Sequence, residues 1–244
     1  MRCLVTAGNT LVKIDQVRCI TSVFTGKTGT QIAMELHRHG FDVVLCTSRP
    51  EALQQLASKI NLENRWRICH YSTFEELHEV MQKEIQGQNL DVIVHSAAVS
   101  DYLYAGAYVP DSSTSFDSEL FCFKSSKEQI AFQNAATGKI KSNHSELWLR
   151  FTQAPKLIDF IKNDWNFQGK LVKFKLEVGV TREQLESIAE DSRLQSQADY
   201  MVANTLEGMH TWAIMGPVQG GYREITRAEL ATSLVQLLKS NVDT

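Results

Sequence analysis

Glycines near the start of this 244-residue sequence stand where a chain could bind an anion. The segment 6–29 contains Gly8, Gly26 and Gly29, follows the apolar run 3–5 and precedes a helical pattern. A strand, a glycine-containing loop and a helix N-terminus together favour phosphate or carboxylate, because backbone N–H groups point outward and the helix dipole attracts negative charge. We therefore predict an anion cradle here; the alternative is that these glycines only shape a tight loop.

Small residues followed by a carboxylate form the second candidate, Ser-Ala-Ala-Val-Ser-Asp at residues 96–101. They come directly after an apolar run of the kind found in buried parallel strands. Ligands of open α/β sheets bind beyond the carboxyl ends of the strands, so Ala97 and Ala98 would let a planar or sugar group lie against the backbone. Asp101 would bind a hydroxyl or a hydrated metal ion. The alternative is an aspartate that only starts a loop.

Two lysines form the third candidate. Lys139 and Lys141 lie in the segment 103–145, the one long stretch without hydrophobic periodicity, and such a segment in a compact domain is usually functional or disordered. In an extended chain both lysines would point to one side and Ile140 to the other. We predict that they close over phosphates as point charges; the alternative is ordinary solvated surface.

The elements that would position these residues alternate between strand and helix patterns. Strands are predicted at 3–5, 41–46, 65–71, 91–96, 147–151, 170–176 and 200–203, helices at 51–60, 72–85, 155–162 and 181–196, and a hairpin at 211–225. The four-residue sequences that begin at Ser72, Thr181 and Thr226 have the spacing of helix caps. We predict an α/β fold with a Rossmann-like, doubly wound, mostly parallel sheet and a C-terminal β extension. It would be one domain over residues 1–244, with a mobile loop at about 103–145.

Composition and charge exclude several classes of protein. A net charge of −3 leaves no basic footprint for nucleic acid or an anionic membrane, and no apolar stretch reaches the ~20 residues of a membrane span. Five scattered cysteines without C-x-x-C favour reduced thiols, and the chain enters a strand at once, so we expect a cytoplasmic protein. The histidines lack the H-E-x-x-H spacing of a zinc site, and the G-x-S-x-G sequence of a hydrolase nucleophile is absent. Gly26-Lys27-Thr28 looks like the end of a P-loop, but Thr21 stands where a P-loop needs its first glycine.

Motifs in a fixed order resemble the phosphopantothenate–cysteine ligase family over nearly the whole chain. They are Thr-Ala-Gly-Asn-Thr at 6–10, Asp-Gln-Val-Arg at 15–18, Ile-Thr-Ser-Val-Phe-Thr-Gly-Lys-Thr-Gly at 20–29, Ser-Ala-Ala-Val-Ser-Asp-Tyr at 96–102, Lys-Ile-Lys-Ser at 139–142, Lys-Phe-Lys-Leu-Glu at 173–177 and Ala-Asp-Tyr-Met-Val-Ala-Asn at 198–204. Each motif is short, and their shared order and spacing carry the resemblance.

The resemblance implies a ligase of coenzyme A biosynthesis that joins 4′-phosphopantothenate to L-cysteine. A nucleoside triphosphate, CTP or ATP, would activate the carboxylate, pyrophosphate would leave, and the cysteine amine would attack the acyl-nucleotidyl anhydride. Mg²⁺ and lysines would offset charge on the pyrophosphate. The resemblance also implies a homodimer, and a free-standing form of a protein that carries a flavin-dependent decarboxylase upstream in many bacteria.

The resemblance further implies roles for individual residues. Lys139, Lys141 and Ser22 would be catalytic, and Asp101 would hold the metal. The nucleotide-binding residues would be Gly8, Ala97, Ala98, Asp101, Phe174 and Asn204. The phosphopantothenate-binding residues would be Arg18, Thr25, Gly26 and Lys27.

Four positions depart from the family pattern, and two alternatives stay open. Ser22 stands for an asparagine, Asn9 for the second glycine of the first loop, Ser142 for the last flap lysine and Phe24 for a serine. One alternative is therefore a non-catalytic nucleotide-binding module that retains the fold. The other is an NAD(P)-dependent reductase, which predicts G-x-G-x-x-G after the first strand or a Tyr-x-x-x-Lys pair. The residues after Gly8 lack that glycine spacing, and no tyrosine has a lysine four residues later.

Overall fold

The computed structural model describes residues 1–56 and 65–240. Contacts divide the chain into two compact units. The first unit consists of Met1–Thr10, Val23–Val99 and Lys156–Thr244, and the second unit of Leu11–Ser22 and Ser100–Pro155. Where the sequence led us to expect one domain, the chain enters and leaves the second unit twice.

Strands and helices alternate along the first unit, whereas the described residues of the second unit form strands alone. The strands are β1 (Arg2–Ala7), β2 (Leu11–Lys13), β3 (Cys19–Thr21), β4 (Asp42–Thr47), β5 (Trp66–His70), β6 (Val92–His95), β7 (Tyr102–Pro110), β8 (Thr114–Asp117), β9 (Cys122–Ser125), β10 (Phe132–Asn134), β11 (Trp148–Gln153), β12 (Lys170–Glu177), β13 (Tyr200–Thr205), β14 (Trp212–Val218) and β15 (Gly221–Thr226). The helices are α1 (Lys27–Arg38), α2 (Pro50–Leu56), α3 (Phe74–Gly87), α4 (Leu157–Asn163), α5 (Arg182–Gln195) and α6 (Leu230–Ser240). No helix within the described ranges has the length and apolar character needed to cross a bilayer.

The first unit is built on one eight-stranded sheet with the order β15-β14-β13-β12-β6-β1-β4-β5. Neighbours from β13 to β5 pair in parallel, and β14 and β15 pair antiparallel at the end. Counted along the chain, the six parallel strands follow the order 3-2-1-4-5-6 of dinucleotide-binding folds, with the strand order reversing between β1 and β6. The predicted doubly wound, mostly parallel sheet and its C-terminal β extension are confirmed.

Helices cover both faces of this sheet, because each buried strand sends alternate side chains to opposite faces. On one face, Val5 and Val202 share a core with Ile32 of α1 and Leu234 of α6. On the other face, Met201 belongs to a core formed with α5. Burial of each large apolar side chain contributes about 1.5–3 kcal/mol, so the packed helices hold the carboxyl edge of the sheet in place.

Most predicted strands of the first unit lie within a few residues of their observed positions. The strand predicted at 91–96 is β6, and the one at 200–203 is β13. The hairpin predicted at 211–225 consists of β14 and β15. The helix predicted at 51–60 begins as α2, and its last part lies outside the described residues.

The predicted helix caps are also present, one of them a residue later than predicted. The N-cap of α3 is Thr73 rather than Ser72, and its side chain accepts a hydrogen bond from the N–H of Glu76. Thr181 caps α5 with both hydrogen bonds of a capping box. Thr226 exchanges hydrogen bonds with the glutamate three residues later, directly before α6. These side chains satisfy N–H groups that have no partner within the helix.

Apart from β11, the second unit consists of strands that the sequence did not predict. Its strands pair as β10-β7-β11, β2-β3 and β8-β9, so the prediction of an irregular segment at 103–145 is wrong. Five of these strands are three or four residues long, too short to establish a period in the sequence. The nine-residue β7 pairs with β11 through an irregularity that breaks its alternation. The strand predicted at 147–151 is β11, and mobility of the segment stays a prediction.

A polar network around buried Thr6 and His95 joins the carboxyl ends of β1 and β6. The hydroxyl of Thr6 lies 2.9 Å from Nδ1 of His95 and accepts a hydrogen bond from the N–H of Ala97 at 3.2 Å. The hydroxyl of Ser96 donates to the carbonyl oxygen of Thr6 at 2.6 Å. Burial of His95, together with the positive charge of Lys173, lowers the pKa of His95 to about 4. The imidazole is therefore neutral at neutral pH.

We expect His95→Asn to flatten the pH dependence of stability between pH 7 and pH 4. In the folded chain the pKa of His95 is about 4, below its ordinary value of 6.5, so on acidification the unfolded state binds the proton first. The contribution of His95 to the free energy of unfolding should consequently fall by about 3 kcal/mol from pH 7 to pH 4. Urea titrations at several pH values measure this slope. His144→Asn, at an exposed histidine, is the control, and equal slopes in both variants would contradict the prediction.

Candidate active site

Three glycines form the tight connection around the carboxyl end of β1 and the start of α1. Gly8 and Gly26 have φ angles of 97° and 76°. A Cβ atom on Gly8 would lie 2.3 Å from Oγ of Ser48, and one on Gly26 would lie 2.6 Å from the amide nitrogen of Gly8. A Cβ atom on Gly29 would lie 2.4 Å from Oγ of Ser96. Protein atoms already fill the space that side chains would need, so the glycines serve the close packing of this loop.

The start of α1 retains the character of an anion site. Its N-cap is Gly26, which has no side chain that could cap the helix, and the first turn contains no acidic residue. Thr25 and Lys27 on either side of Gly26 are exposed. The first N–H groups of a helix have no partner within the helix, so this end is suited to a phosphate or carboxylate.

Gly8 and Ala98, predicted as nucleotide-binding residues from distant motifs, are in direct contact. The N–H of Ala98 donates to the carbonyl oxygen of Gly8 at 2.9 Å, and the N–H of Thr10 donates to the carbonyl oxygen of Ala98 at 3.2 Å. Asn9 and Ala98 form a parallel bridge beyond the ends of β1 and β6. Ala97 and Ala98 are half-buried. The two motifs therefore meet where the strand order reverses, which is where open α/β sheets bind ligands.

Two arginines at this end of the first unit were not predicted. The side chain of buried Asn9 accepts hydrogen bonds from Oγ of Ser48 at 3.3 Å and from Nε of Arg49 at 3.2 Å, and the N–H of Asn9 donates to Oγ of Ser48 at 2.9 Å. Arg227 donates to the hydroxyl of Thr28 in the first turn of α1. Arg49 follows the carboxyl end of β4, so the rule that identified the other candidates would have identified it too.

Phe174 and Asn204 lie towards the carboxyl ends of the neighbouring strands β12 and β13. Both are half-buried, and Phe174 packs against the core shared with α1 and α6. Lys173, beside Phe174, donates to the carbonyl oxygen of Ser192 at 2.8 Å, and burial lowers the pKa of this lysine to about 8. Lys173 thus ties β12 to the end of α5. Phe174 and Asn204 keep part of their surface accessible.

In the second unit, Arg18 is engaged with its own surroundings. Its guanidinium donates to the carboxylate of Asp15 through Nε at 3.0 Å and through Nη2 at 2.6 Å. Nη2 also donates to the carbonyl oxygen of Ile140 at 2.6 Å. Arg18, assigned to phosphopantothenate by the resemblance, therefore contacts the segment that contains the two candidate lysines.

Lys139 and Lys141 are exposed, while Ile140 between them is buried with 2% of its surface accessible. Burial thus alternates along these three residues as predicted, with Ile140 covered and the lysines on either side exposed. The lysines line an open cleft of about 580 Å³ together with Val17 and Arg18. The second unit thus presents two cations on one concave surface.

Ser22 and Asp101 lie at the boundaries of the two segments that form the second unit. Ser22 is the last residue of the first segment, and Asp101 is the second residue of the other. Ser22 follows β3 and is half-buried. Asp101 is exposed, and its carbonyl oxygen accepts the N–H of Ala154 at 2.8 Å. Among the described residues, no group of three or more His, Cys, Asp or Glu is arranged to hold a metal ion. The predicted metal ligand Asp101 is a single carboxylate rather than a member of such a cluster.

The predicted site residues are divided between the two units. Those in the second unit are Arg18, Ser22, Asp101, Lys139 and Lys141. Those in the first unit are Gly8, Thr25, Gly26, Lys27, Ala97, Ala98, Phe174 and Asn204.

Known proteins with related sequences belong to coenzyme A biosynthesis. Residues 1–109 match the family described as the DNA/pantothenate metabolism flavoprotein C-terminal domain. The coenzyme A biosynthesis bifunctional protein CoaBC of Thermococcus kodakarensis is 32% identical over 206 residues, which cover 84% of this chain and 41% of that protein. The CoaBC protein of Methanocaldococcus jannaschii is 23% identical over 206 residues, with 84% and 40% covered. The chain therefore spans about two fifths of the length of the curated relatives it matches.

Solved structures agree with this relationship. The DNA/pantothenate metabolism flavoprotein from Streptococcus pneumoniae is 28% identical, with a TM-score of 0.76 and 99% of each chain covered. A Cab2 mutant in complex with phosphopantothenate-cysteine is 14% identical, with a TM-score of 0.67 over 100% of this chain and 89% of that chain, a likeness of fold alone. The resemblance found in the sequence is confirmed by these matches: residues 1–109 match the family model, and 84% of the chain aligns with the CoaBC protein of Thermococcus kodakarensis.

Proposed function

We propose that the chain is a phosphopantothenate–cysteine ligase, which joins 4′-phosphopantothenate to L-cysteine with a nucleoside triphosphate as co-substrate. The observation that carries this proposal is the contact of Gly8 with Ala98 at the reversal of strand order, in a chain whose first 109 residues match the family. Ligands of open α/β sheets bind at this point, and the start of α1 favours an anionic group. The relatives named as coenzyme A biosynthesis proteins support the same reaction.

The first step activates a carboxylate, because a carboxylate is by itself a poor electrophile. An oxygen of the phosphopantothenate carboxylate attacks the α-phosphorus of the triphosphate. The bond from this phosphorus to the bridging oxygen breaks, and pyrophosphate leaves with the bonding electrons. A mixed acyl-nucleotidyl anhydride remains. Negative charge builds on the departing oxygen, and Lys139 and Lys141 supply positioned cations for it.

The second step forms the amide. The nitrogen of cysteine attacks the acyl carbon, the bond from that carbon to the nucleotide oxygen breaks, and nucleoside monophosphate leaves while the nitrogen loses a proton. Ser22 contacts the acyl group through its hydroxyl, in the position of the family's asparagine. A serine hydroxyl has one donor and a shorter reach than the amide with its two donors.

Binding of the two larger substrates is assigned to the edge of the sheet and the start of α1. The residues proposed for phosphopantothenate are Thr25, Gly26 and Lys27, together with Arg18, whose guanidinium also contacts Asp15 and Ile140. Those proposed for the nucleotide are Gly8, Ala97, Ala98, Asp101, Phe174 and Asn204. The half-buried alanines and Phe174 leave apolar surface for a sugar or base, which supports this assignment.

Magnesium fits this set of residues as an ion held mainly by the substrate. Mg²⁺ usually keeps several waters and binds one or two carboxylates plus substrate phosphates. The exposed carboxylate of Asp101 fits the role of the protein ligand, since the described residues contain no cluster of three or more ligands. When bound, the ion neutralises charge on the phosphates.

The identity of the nucleotide, CTP or ATP, depends on pocket shape and backbone contacts around the base, so both belong in every assay. We propose further that the protein is a cytoplasmic homodimer, as the resemblance implies.

An NAD(P)-dependent reductase, one of the two alternative functions, gains no support from the relatives. A non-catalytic nucleotide-binding module predicts binding without turnover, so product analysis separates it from a ligase.

We expect pyrophosphate and nucleoside monophosphate to appear only when phosphopantothenate is present with the triphosphate and Mg²⁺. The reason is that pyrophosphate leaves only when the carboxylate of phosphopantothenate attacks the α-phosphorus of the triphosphate. Chromatography of nucleotides, with CTP and ATP in parallel reactions, measures the products, and omission of phosphopantothenate is the control. Formation of nucleoside diphosphate and inorganic phosphate would mean that the carboxylate is activated as an acyl phosphate, and it would contradict the proposed acyl-nucleotidyl intermediate.

We expect Lys139→Ala to slow formation of the acyl-nucleotide by about 10²–10³-fold, the usual effect of losing one positioned group that stabilises charge. Single-turnover measurements at saturating triphosphate isolate this step from substrate binding. Lys127→Ala is the matched control, because Lys127 is another exposed lysine of the second unit with 68% of its side chain accessible. A decrease of less than about threefold in the Lys139 variant would favour a solvated surface lysine.

We expect Asp101→Asn to raise the Mg²⁺ and triphosphate concentrations needed for half-maximal rate while the chain stays folded. The substitution removes a negative charge but keeps the size of an exposed side chain. Rates measured across Mg²⁺ concentrations test this expectation, with circular dichroism as the measure of folding. Asp117→Asn, in the same unit, should behave as the unsubstituted chain; an unchanged Mg²⁺ dependence in the Asp101 variant would remove Asp101 from the site.

A further inference from the structure

One carboxylate in the second unit joins two segments that lie 125 residues apart in the sequence. Oδ1 of Asp15 accepts the N–H groups of Val17 at 2.9 Å and Arg18 at 2.8 Å, and Oδ2 accepts the N–H of Ile140 at 3.0 Å. Oδ2 also accepts the two guanidinium donors of Arg18. The side chain of Asp15 is completely covered. Both oxygens of this carboxylate are therefore used within the unit.

The backbone of Ile140 is held on both sides by this ion pair. Its N–H donates to Asp15, and its carbonyl oxygen accepts from Nη2 of Arg18 at 2.6 Å. Two residues earlier, the carbonyl oxygen of Gly138 accepts the N–H of Gln16 at 3.1 Å. The backbone of the segment 138–140 is thus held against the segment 15–18 by one hydrogen bond from the backbone of Gln16 and by two hydrogen bonds with the side chains of Asp15 and Arg18.

Packing of the Ile140 side chain adds to these hydrogen bonds. Ile140 belongs to a buried cluster with Ile14, Ala107 and Ala135, so the residue is fixed by its side chain as well as by its backbone. Lys139 and Lys141 flank it and are exposed. Their backbones are consequently held, and the freedom that remains to them lies mainly in the side-chain torsions.

The charges of the ion pair are also suited to holding a cationic segment. Hydrogen bonds from Arg18, reinforced by the backbone N–H groups, hold the pKa of Asp15 far below its usual range, so the carboxylate stays ionised. Charge-assisted hydrogen bonds of this kind are roughly twice as strong as neutral ones. Because Asp15 neutralises Arg18, the net positive charge along the cleft lined by Arg18, Lys139 and Lys141 comes from the two lysines.

From these contacts we infer that Asp15 and Arg18 are positioning residues that hold Lys139 and Lys141 in place for the charge developing on the leaving group. Arg18 acts through Ile140 in this role. The part played by the lysines rests on the proposed ligase function, whereas the holding of their segment rests on the contacts alone. Preorganised cations need no rearrangement at the moment of reaction, and a displacement of about 1 Å can lower a rate by about 10²-fold.

Proteolysis tests the holding of the segment without reference to activity. Trypsin cleaves after Lys139 and Lys141 only when the backbone opens locally, so Asp15→Asn should accelerate cleavage at these two bonds by tenfold or more. Mass spectrometry of timed digests identifies the bonds. Asp117→Asn is the matched control, since Asp117 accepts the N–H groups of the residues two and three positions later and pairs with Lys124 in the same unit. Equal cleavage rates in the two variants would overturn the proposal.

A second substitution covers the case in which Asp15→Asn fails to fold. Arg18→Lys keeps the positive charge, but an ammonium group lacks the planar fork with which Arg18 reaches both Asp15 and Ile140. We expect it also to accelerate cleavage after Lys139 and Lys141, by a smaller factor. Cleavage at the unsubstituted rate in a folded Arg18→Lys chain would overturn the role of Arg18.

A mutant cycle tests whether the holding serves catalysis. Asp15→Asn should slow single-turnover formation of the acyl-nucleotide by about 10²-fold, but should slow it no further when Lys139→Ala and Lys141→Ala are already present, because it acts through these two lysines. Accelerated cleavage with an unchanged single-turnover rate, or additive losses, would overturn the positioning role. If the unsubstituted chain forms no acyl-nucleotide, the ligase proposal fails, and the proteolysis result still decides whether Asp15 holds the segment.

Discussion

The rest of the first unit depends on the hydrogen bonds that continue between β1 and β6 beyond the ends of both strands. Ala98 donates to Gly8, and Thr10 donates back to Ala98, so the two chains stay in register where ordinary strands would diverge. Gly29 packs against this junction, where a Cβ atom would lie 2.4 Å from Oγ of Ser96 and 2.7 Å from Cβ of Ala7. Gly8 has no room for a side chain because Ser48, after β4, lies against it. Close packing around the end of β1 therefore accounts for glycines that look independent in the sequence. This edge of the sheet is formed by packing of the chain itself.

Much of the first unit could be predicted because its signals are local or follow a general rule. Within the strand predicted at 91–96, the apolar run Val-Ile-Val at 92–94 is continuous, as expected for a strand buried on both faces. Thr181 has the spacing of a helix cap. The meeting of Gly8 and Ala98 followed from the rule that ligand sites lie at the carboxyl ends of parallel strands. Arg49 obeys the same rule but belongs to no motif, and for that reason it was not predicted.

The second unit was predicted less well because its organisation depends on contacts between distant segments. Strands of three or four residues carry too little pattern to be seen, and their stability comes from pairing and from aromatic contacts such as that of Phe123 with Trp148, whose ring centroids lie 4.6 Å apart. The alternation of Lys139, Ile140 and Lys141 could be predicted because it needs only extended geometry. That Asp15 and Arg18 would hold Ile140 could not, since nothing in the local turn at 15–18 specifies a partner 125 residues away.

The sheet of the first unit ends at β15, and this position has a consequence for the solubility of the folded chain. The last strand of a sheet is a template on which other chains can pair and aggregate. In β15, Arg223 and Glu224 are exposed, and Glu224 forms an ion pair with Arg182 of α5 at 2.8 Å. An added strand would have to bring these charges into a less solvated environment. The exposed charges of β15 therefore oppose pairing of another chain with this edge of the sheet.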